Sequence, residues 1–387
     1  ELMHRIADTY GPLVYHQLGE TPRVYGQQEA YTRFFADLDE GQQLIREYLD
    51  EGGDNNKFKE YDMLTNGKTL KEWLKFANSL RLRLAMRISN VDATLAKDQA
   101  TKALNDNQGV LEGARETIAV MGKNYINPLC AVAGWGEVYM NASMESIVNG
   151  YEDPRGKKWY NTALLEGYQK QLLGIPIGLP MKDGDANIYS FCSSLNTSTI
   201  GEKTGAVLMS AAEVWLLRAE AALRGYTKEN PRTCYEYGVS TSFTQWDCAG
   251  ASEYLESDKT PADYKDVVSG GKVGKDMKAL ITISPKWEED ADIETKLEKI
   301  ITQKWLACWP ESYEAWAEQR RTGYPKLFKV QNNTGKVIDT DIMIRRLPFS
   351  TDAATADPAQ YATLTEKLGG ADNGATRLWW DTGKNSF

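Results

Sequence analysis

The chain has 387 residues, with 45 Lys and Arg against 54 Asp and Glu, giving a formal charge of −9. That balance argues against nucleic-acid binding, which needs a basic face, and 42% hydrophobic residues argue against disorder. Eleven Trp and 20 Tyr stand beside 9 Phe and 2 His (His4 and His16), a set suited to recognition by amphipathic rings and poor in histidine for catalysis or metal binding.

No apolar run approaches the roughly 18 residues that a membrane span requires. The start, Glu1-Leu2-Met3, lacks the features of a signal segment and reads as though the chain opens inside a helix.

In chain order, Tyr31, Phe34, Phe35, Leu38, Ile45 and Leu49 recur at helical spacing up to Gly52 and Gly53. Thr69 and Glu72 then form a capping-box pattern ahead of Leu70, Trp73, Leu74, Ala77, Leu80, Leu84 and Ile88. Lys71, Lys75, Arg81, Arg83 and Arg87 fall largely off that stripe, which predicts a solvated or ion-paired face in preference to an anion site. A shorter helix is predicted over 96–104, followed by a Gly- and Asn-rich irregular tract over 105–195.

Ser210 with Glu213 makes a second capping-box pattern for Val214, Trp215, Leu217, Ala221 and Leu223, closed by Gly225, and 230–246 supplies its antiparallel partner. Ile293, Leu297, Ile300, Ile301, Trp305 and Cys308 form a further helical face stopped by Pro310; a last helix spans 312–321, before Gly323, Tyr324 and Pro325. Strand signals are confined to 207–210 and 281–284. The fold class is mostly α: paired helices with short turns, no exact repeat period, and long irregular loops.

Five cysteines without a C-x-x-C pair exclude zinc ribbons and thioredoxin-type chemistry; Cys308 reads as core, while Cys234 and Cys248 leave a disulfide open. Asp183, Asp185 and Asn187 alternate like the opening of a calcium loop. However, Ile188 stands where such a loop needs Gly and Ser194 where it needs Glu, so an Asx-rich turn is the better reading. No cofactor is therefore expected, with loop-bound calcium as the remaining option. Glu288, Glu289, Asp290 and Asp292 suit a helix start, and no nucleophile-elbow, P-loop, zincin or dinucleotide motif is present.

Trp73, Trp215, Trp305 and Trp316 sit at helical spacings and are assigned to the core. Tyr139, Tyr151, Trp159, Tyr160, Tyr189, Phe191 and Trp246 lie in loop-rich stretches among Asn, Asp, Ser and Gly. There a flat ring can stack on a pyranose while amides bond its hydroxyls, or can instead pin the loop to the body. Tyr139, Tyr151, Trp159, Tyr160 and Tyr189 are the expected stacking residues, with Asn127 and Arg155 as polar partners.

Several segments together resemble the SusD/RagB family of bacterial outer-membrane nutrient-binding lipoproteins. They are MHRIADTYGPLVY at 3–15, LKEWLKFANSLRLRLAMRISNVD at 70–92, NPL at 127–129, EDPR at 152–155 and SAAEVWLLRAEAALRGY at 210–226. QKWLA at 303–307, EAWAEQRRTGYP at 314–325, RRLPF at 345–349, and LGGADN with TRLWWD within 368–381 continue the match in the same order.

The resemblance implies one SusD-like domain over 1–387, in which tetratricopeptide-like helix pairs over about 28–104 and 206–330 support a ligand-facing region over about 105–205. It implies non-catalytic glycan binding on the extracellular face of the outer membrane and delivery to a SusC-like TonB-dependent transporter. The family's anchor is a lipidated N-terminal cysteine; here the first cysteine is Cys130, so the chain is expected to lack its N-terminal segment and to reach the membrane only through that missing anchor. The rival readings are a helical-repeat protein-interaction module, a peptide- or glycopeptide-binding importer subunit and, last, a glycosidase.

Overall fold

The computed structural model of the chain describes residues 1–16, 19, 21–65, 67–122, 124–181 and 186–384. Helix α1 (Leu2–Tyr10) leads into a two-stranded antiparallel ribbon, β1 (Leu13–Tyr15) and β2 (Arg23–Tyr25), in which Val14 faces Val24. The stripe that begins at Tyr31 forms α2 (Gln27–Asp50), which buries Tyr31, Phe34 and Phe35. The Thr69–Glu72 box opens α3 (Leu70–Arg87): the Glu72 amide donates to the Thr69 hydroxyl at 3.2 Å, and the Thr69 amide donates to the Glu72 carboxylate at 2.8 Å. Two donors that a helix start leaves unpaired are thereby satisfied. Helix α4 (Ala93–Leu104) packs back on α3.

The tract over 105–195 holds more regular structure than its composition predicts. It contains β3 (Ile118–Val120), α5 (Pro128–Ala133), α6 (Ala142–Gly150) and α7 (Gly156–Trp159). Residues 142 to 148 of α6 are all buried: Met144, Ile147 and Val148 keep helical spacing, but Ser143, Glu145 and Ser146 between them are buried as well. Strand β4 (Ala206–Met209), predicted from sequence, pairs antiparallel with β3. The second predicted strand, 281–284, does not form. Its carbonyls serve side chains instead of a ladder: Ile283 O accepts from the Tyr151 hydroxyl at 3.0 Å and Ser284 O from Lys299 Nζ at 2.9 Å.

Helices α8 (Ala211–Leu223) and α9 (Pro231–Gln245) form the expected pair. Gly238 is what lets them approach, since a Cβ there would lie 2.6 Å from Leu216 Cγ. After α10 (Ala251–Leu255) come α11 (Ile293–Ala307), α12 (Ser312–Thr322), α13 (Ala353–Ala356) and α14 (Pro358–Leu368). The pairs α3/α4, α8/α9 and α11/α12 stack through contacts of α3 with α8 and of α8 with α11, a mostly α helical-repeat scaffold as predicted. Helix α8 sits between two cores: Val214, Leu217 and Ala221 face the α2–α4 side, and Ala212, Leu216 and Ala219 face α6, α9 and α11.

The cationic side of α3 is ion-paired rather than solvated. Arg83 donates both Nε and Nη2 to the Glu213 carboxylate at 2.7 Å, and Arg87 bridges Asp8, Glu314 and Glu318. Lys304 reaches Glu314 at 2.7 Å, and Arg321 makes paired bonds to Glu220 at 2.8 and 2.6 Å. All of these side chains are buried. Burial would raise the Glu318 carboxyl, but Arg321, Lys304 and Arg87 hold it down at about 2. Glu213 is thereby committed to Arg83, so the second capping box is only half made, with Ser210 accepting from the Glu213 amide at 3.1 Å.

All five cysteines are free, including Cys234 and Cys248. Cys234 lies in the first turn of α9 and Cys248 beyond its last. A helix rising about 1.5 Å per residue carries them well past the roughly 7 Å that a disulfide can bridge.

Candidate functional site

A cavity of about 380 Å³ opens where α11 and α12 meet the 127–195 tract. Its aromatic walls are Trp305 near the end of α11, Trp309 in the turn, Trp316 on α12 and Tyr160 just after α7. Aliphatic lining comes from Leu129, Val138, Met144 and Leu195, and from Leu327, Met343 and Ile344 beyond α12. Polar atoms enter from Asn141, Gln319, Ser312 and Glu311.

The walls are braced from behind. Trp159 stacks on Trp309 with ring centroids 5.2 Å apart and planes 20° apart, while Trp246 meets the same ring edge-on at 5.2 Å. Trp309 Nε1 donates to the Tyr160 hydroxyl at 3.1 Å, and burial pushes that phenol up to about 12. Trp316 Nε1 donates to Ile344 O at 3.3 Å, with the Arg320 guanidinium 3.6 Å from the centroid of its ring. Such contacts fix ring orientation before a ligand arrives, which reduces the ordering cost of binding.

The polar lining divides into committed and available groups. Glu311 accepts from the Tyr313 and Glu314 amides at 3.2 and 2.9 Å and pairs with Arg5 at 3.1 Å; burial pushes its carboxyl up to about 7. Asn141 Oδ1 caps α6 by accepting from the Met144 amide at 2.9 Å, whereas its Nδ2 amide reaches no protein acceptor among the described residues. The side chain of Gln319 and Trp305 Nε1 likewise have no protein partner there.

Of the seven residues expected from sequence, only Tyr160 lines this cavity. Trp159 is 0% exposed and Tyr151 2%, so neither offers a ring face to a ligand. Tyr151 donates to Ile283 O, and Trp159 serves as the brace behind Trp309. Arg155 is also fully buried: its guanidinium binds Asp153, Ser242 and Gln303 and lies 4.8 Å from the centroid of the Phe243 ring. Tyr189 sits in a separate small core, donating to Asp266 at 3.1 Å, and Asn127 is a buried cap of α5 bonded to Leu129 N and Thr204 O. Tyr139 is half-buried, with its hydroxyl donating to Gly136 O at 2.6 Å. Tyr139 apart, these loop residues are inside because much of the 105–195 tract shares a core with α8, α9 and α11 instead of lying open.

Helical spacing assigned Trp305 and Trp316 to the core; both are half-buried and line the cavity, Trp305 while also packing against the core of α8, α9 and α11. The available signal was their position: both flank the Trp309-Pro310 interruption, where two apolar stripes end and a concavity forms.

Among the described residues no group of three or more His, Cys, Asp or Glu side chains could hold a metal ion; Asp183 and Asp185 of the possible calcium turn lie outside the described residues. No helix among the described residues is long and apolar enough to cross a membrane.

The chain matches, over residues 1–381, the SusD-like family described as SusD and RagB outer membrane lipoproteins. A SusD homologue from Bacteroides vulgatus is 57% identical with a TM-score of 0.95, the alignment covering all of this chain and 78% of that one. A chitin-binding SusD homologue from Flavobacterium johnsoniae is 36% identical (TM-score 0.92; 100% and 79% covered), and a SusD-like protein from Bacteroides thetaiotaomicron is 32% identical (0.89; 98% and 78%). None of the curated proteins matches the chain. Family match, identity and shared fold agree along nearly its full length: the chain belongs to the SusD/RagB family of outer membrane lipoproteins.

Proposed function

We propose that the protein is a non-catalytic glycan receptor, displayed on the extracellular face of the outer membrane, that passes its ligand to a SusC-like TonB-dependent transporter. The observation that carries this reading is the cavity bounded by Trp305, Trp309, Trp316 and Tyr160, in which braced rings stand beside unpaired amide donors. Flat apolar rings match the C–H face of a pyranose, and neutral amides match its hydroxyls. Membership in a family of outer membrane lipoproteins and a 36%-identical relative described as chitin-binding support it.

Glycoside hydrolysis needs two carboxyl groups across the bond that breaks. The one carboxylate that lines the cavity among the described residues, Glu311, is bound to a helix start and to Arg5, which favours binding without chemistry.

A second concavity of about 430 Å³, between α2 and α3, is lined by Leu38, Ile45, Phe58, Leu70, Trp73 and Phe76. Its Gln42 is bonded to Asn78 and Arg81, and the one unpartnered donor of its lining among the described residues, Trp73 Nε1, is itself buried; exposed Leu44 and Tyr61 beside it suit a protein contact better. Calorimetry of the intact protein against a broad oligosaccharide panel tests the glycan reading; absence of binding across the panel by folded protein would refute it.

A further inference from the structure

Resting on the glycan reading, the lining chemistry of the cavity narrows the class of sugar. We infer that the site selects neutral N-acetylated sugars over the same backbone carrying a hydroxyl, a free amine or a carboxylate.

Charge is the first filter. Among the described residues no lysine or arginine lines the cavity, so a uronate or a sulfated sugar entering it finds no cation. The only carboxylate lining it among those residues, Glu311, already has Arg5 and two helix amides as partners, so an ammonium group finds no free anion. Moving an unpaired charge into such a site is strongly disfavoured, whereas a neutral ligand avoids that cost.

The second filter is the surplus of donors. Asn141 Nδ2 and Trp305 Nε1 can only donate, and the Gln319 amide is unpaired. The Tyr160 oxygen accepts from Trp309 Nε1, which leaves its O–H proton to donate into the cavity. A hydroxyl can answer these groups in part, but an acetamide carbonyl offers a stronger acceptor fixed in direction by its planar amide.

The third filter is the aliphatic part of the lining. Leu129, Val138, Met144 and Leu195 line the cavity together with the rings, and its surface is dominated by carbon. A bare pyranose meets this surface only with the C–H groups of its ring, whereas an acetamide adds a methyl that is buried against it. Burial of that methyl with one added amide bond corresponds to roughly tenfold or more in affinity.

The test compares three β-1,4-linked hexamers that differ only at carbon 2: N-acetylglucosamine, glucosamine and glucose. Isothermal titration of the intact protein should show the acetylated hexamer binding at least about tenfold more tightly than either of the others. Asn141→Asp keeps the cap acceptor of α6, removes the Nδ2 donors and adds a negative charge. It should retain the wild-type melting profile, lose about tenfold for the acetylated hexamer and gain for the glucosamine hexamer.

Equal affinity for the acetylated and glucose hexamers would overturn the acetyl preference while leaving the glycan reading intact. Acetyl preference unchanged in Asn141→Asp would move the recognition away from this cavity and overturn the assignment. Failure of the folded protein to bind these hexamers or any other glycan would remove the underlying reading as well.

Discussion

Trp159 stacks on Trp309 at 5.2 Å and 20°, and through this one contact a fully buried side chain positions a wall of the cavity. Replacing Trp159 with Ala opens a void behind Trp309. The expected loss is about 3–5 kcal/mol in urea denaturation, with Trp159→Phe recovering much of it. Glycan affinity should fall too, because Trp309 loses its backing; unchanged stability in Trp159→Ala would show that the ring is not core.

Arg321 is held by Glu220 and Glu318, all three buried. Arg321→Met removes one buried cation from a network in which Glu220 keeps Arg224 and Glu318 keeps Arg87 and Lys304, and should still cost about 3 kcal/mol. Adding Glu220→Leu should recover part of that loss, so the two changes should be clearly non-additive in a double-mutant cycle. Additive effects would mean that the pair does not couple.

Glu145 is buried on α6, where it accepts from the Gly174 amide at 2.5 Å, and burial pushes its carboxyl up to about 8. Nearby Cys192 and Tyr264 are also raised, Cys192 to about 12, so neither ionises in the same window. Between the ordinary carboxyl value near 4.5 and about 8, the folded state holds a proton that the unfolded state has released. Stability should therefore fall as pH rises through that window, by up to about 1.4 kcal/mol per unit from this group. Glu145→Gln keeps an acceptor for Gly174 and should flatten the decline; identical pH profiles for the two proteins would contradict the assignment.

The helical scaffold was legible because its signals are local. Thr69 with Glu72 marks the start of α3, and the Ile293 to Trp305 stripe marks α11. Helix α6 was less so: Met144, Ile147 and Val148 keep helical spacing, but the helix is only 9 residues long and buries its polar Ser143, Glu145 and Ser146 too. The lining of the cavity was not legible for a different reason. Loop composition around Trp159 and Tyr151 suggests exposure, yet whether a loop packs as a body depends on contacts distant in sequence, such as Tyr151 with Ile283 and Arg155 with Gln303. Conversely, helical spacing assigned Trp305 and Trp316 to a core, but spacing reports which face turns inward and not whether that face meets a neighbour or a cavity. Composition pointed to Trp and Tyr as the recognition residues; only the tertiary structure separates the bracing rings from those at the cavity.

The free thiols give a simple chemical check. Protein denatured without reductant should titrate five thiols, whereas three would indicate a Cys234–Cys248 bridge. In the native state Cys130 and Cys248, both half-buried, should react before Cys192, Cys234 and Cys308, whose burial also pushes their thiols up.

The most direct test of the account is calorimetric titration of wild type and Trp305→Ala with a glycan that the wild type binds. Trp305 is half-buried at the cavity and bonded to no protein acceptor among the described residues, so its loss should change binding more than folding. The expected result is a drop in affinity of about tenfold or more with the cooperative melting transition retained, in line with loss of a central aromatic contact. Wild-type affinity in a folded Trp305→Ala protein would place the glycan site elsewhere and contradict the account.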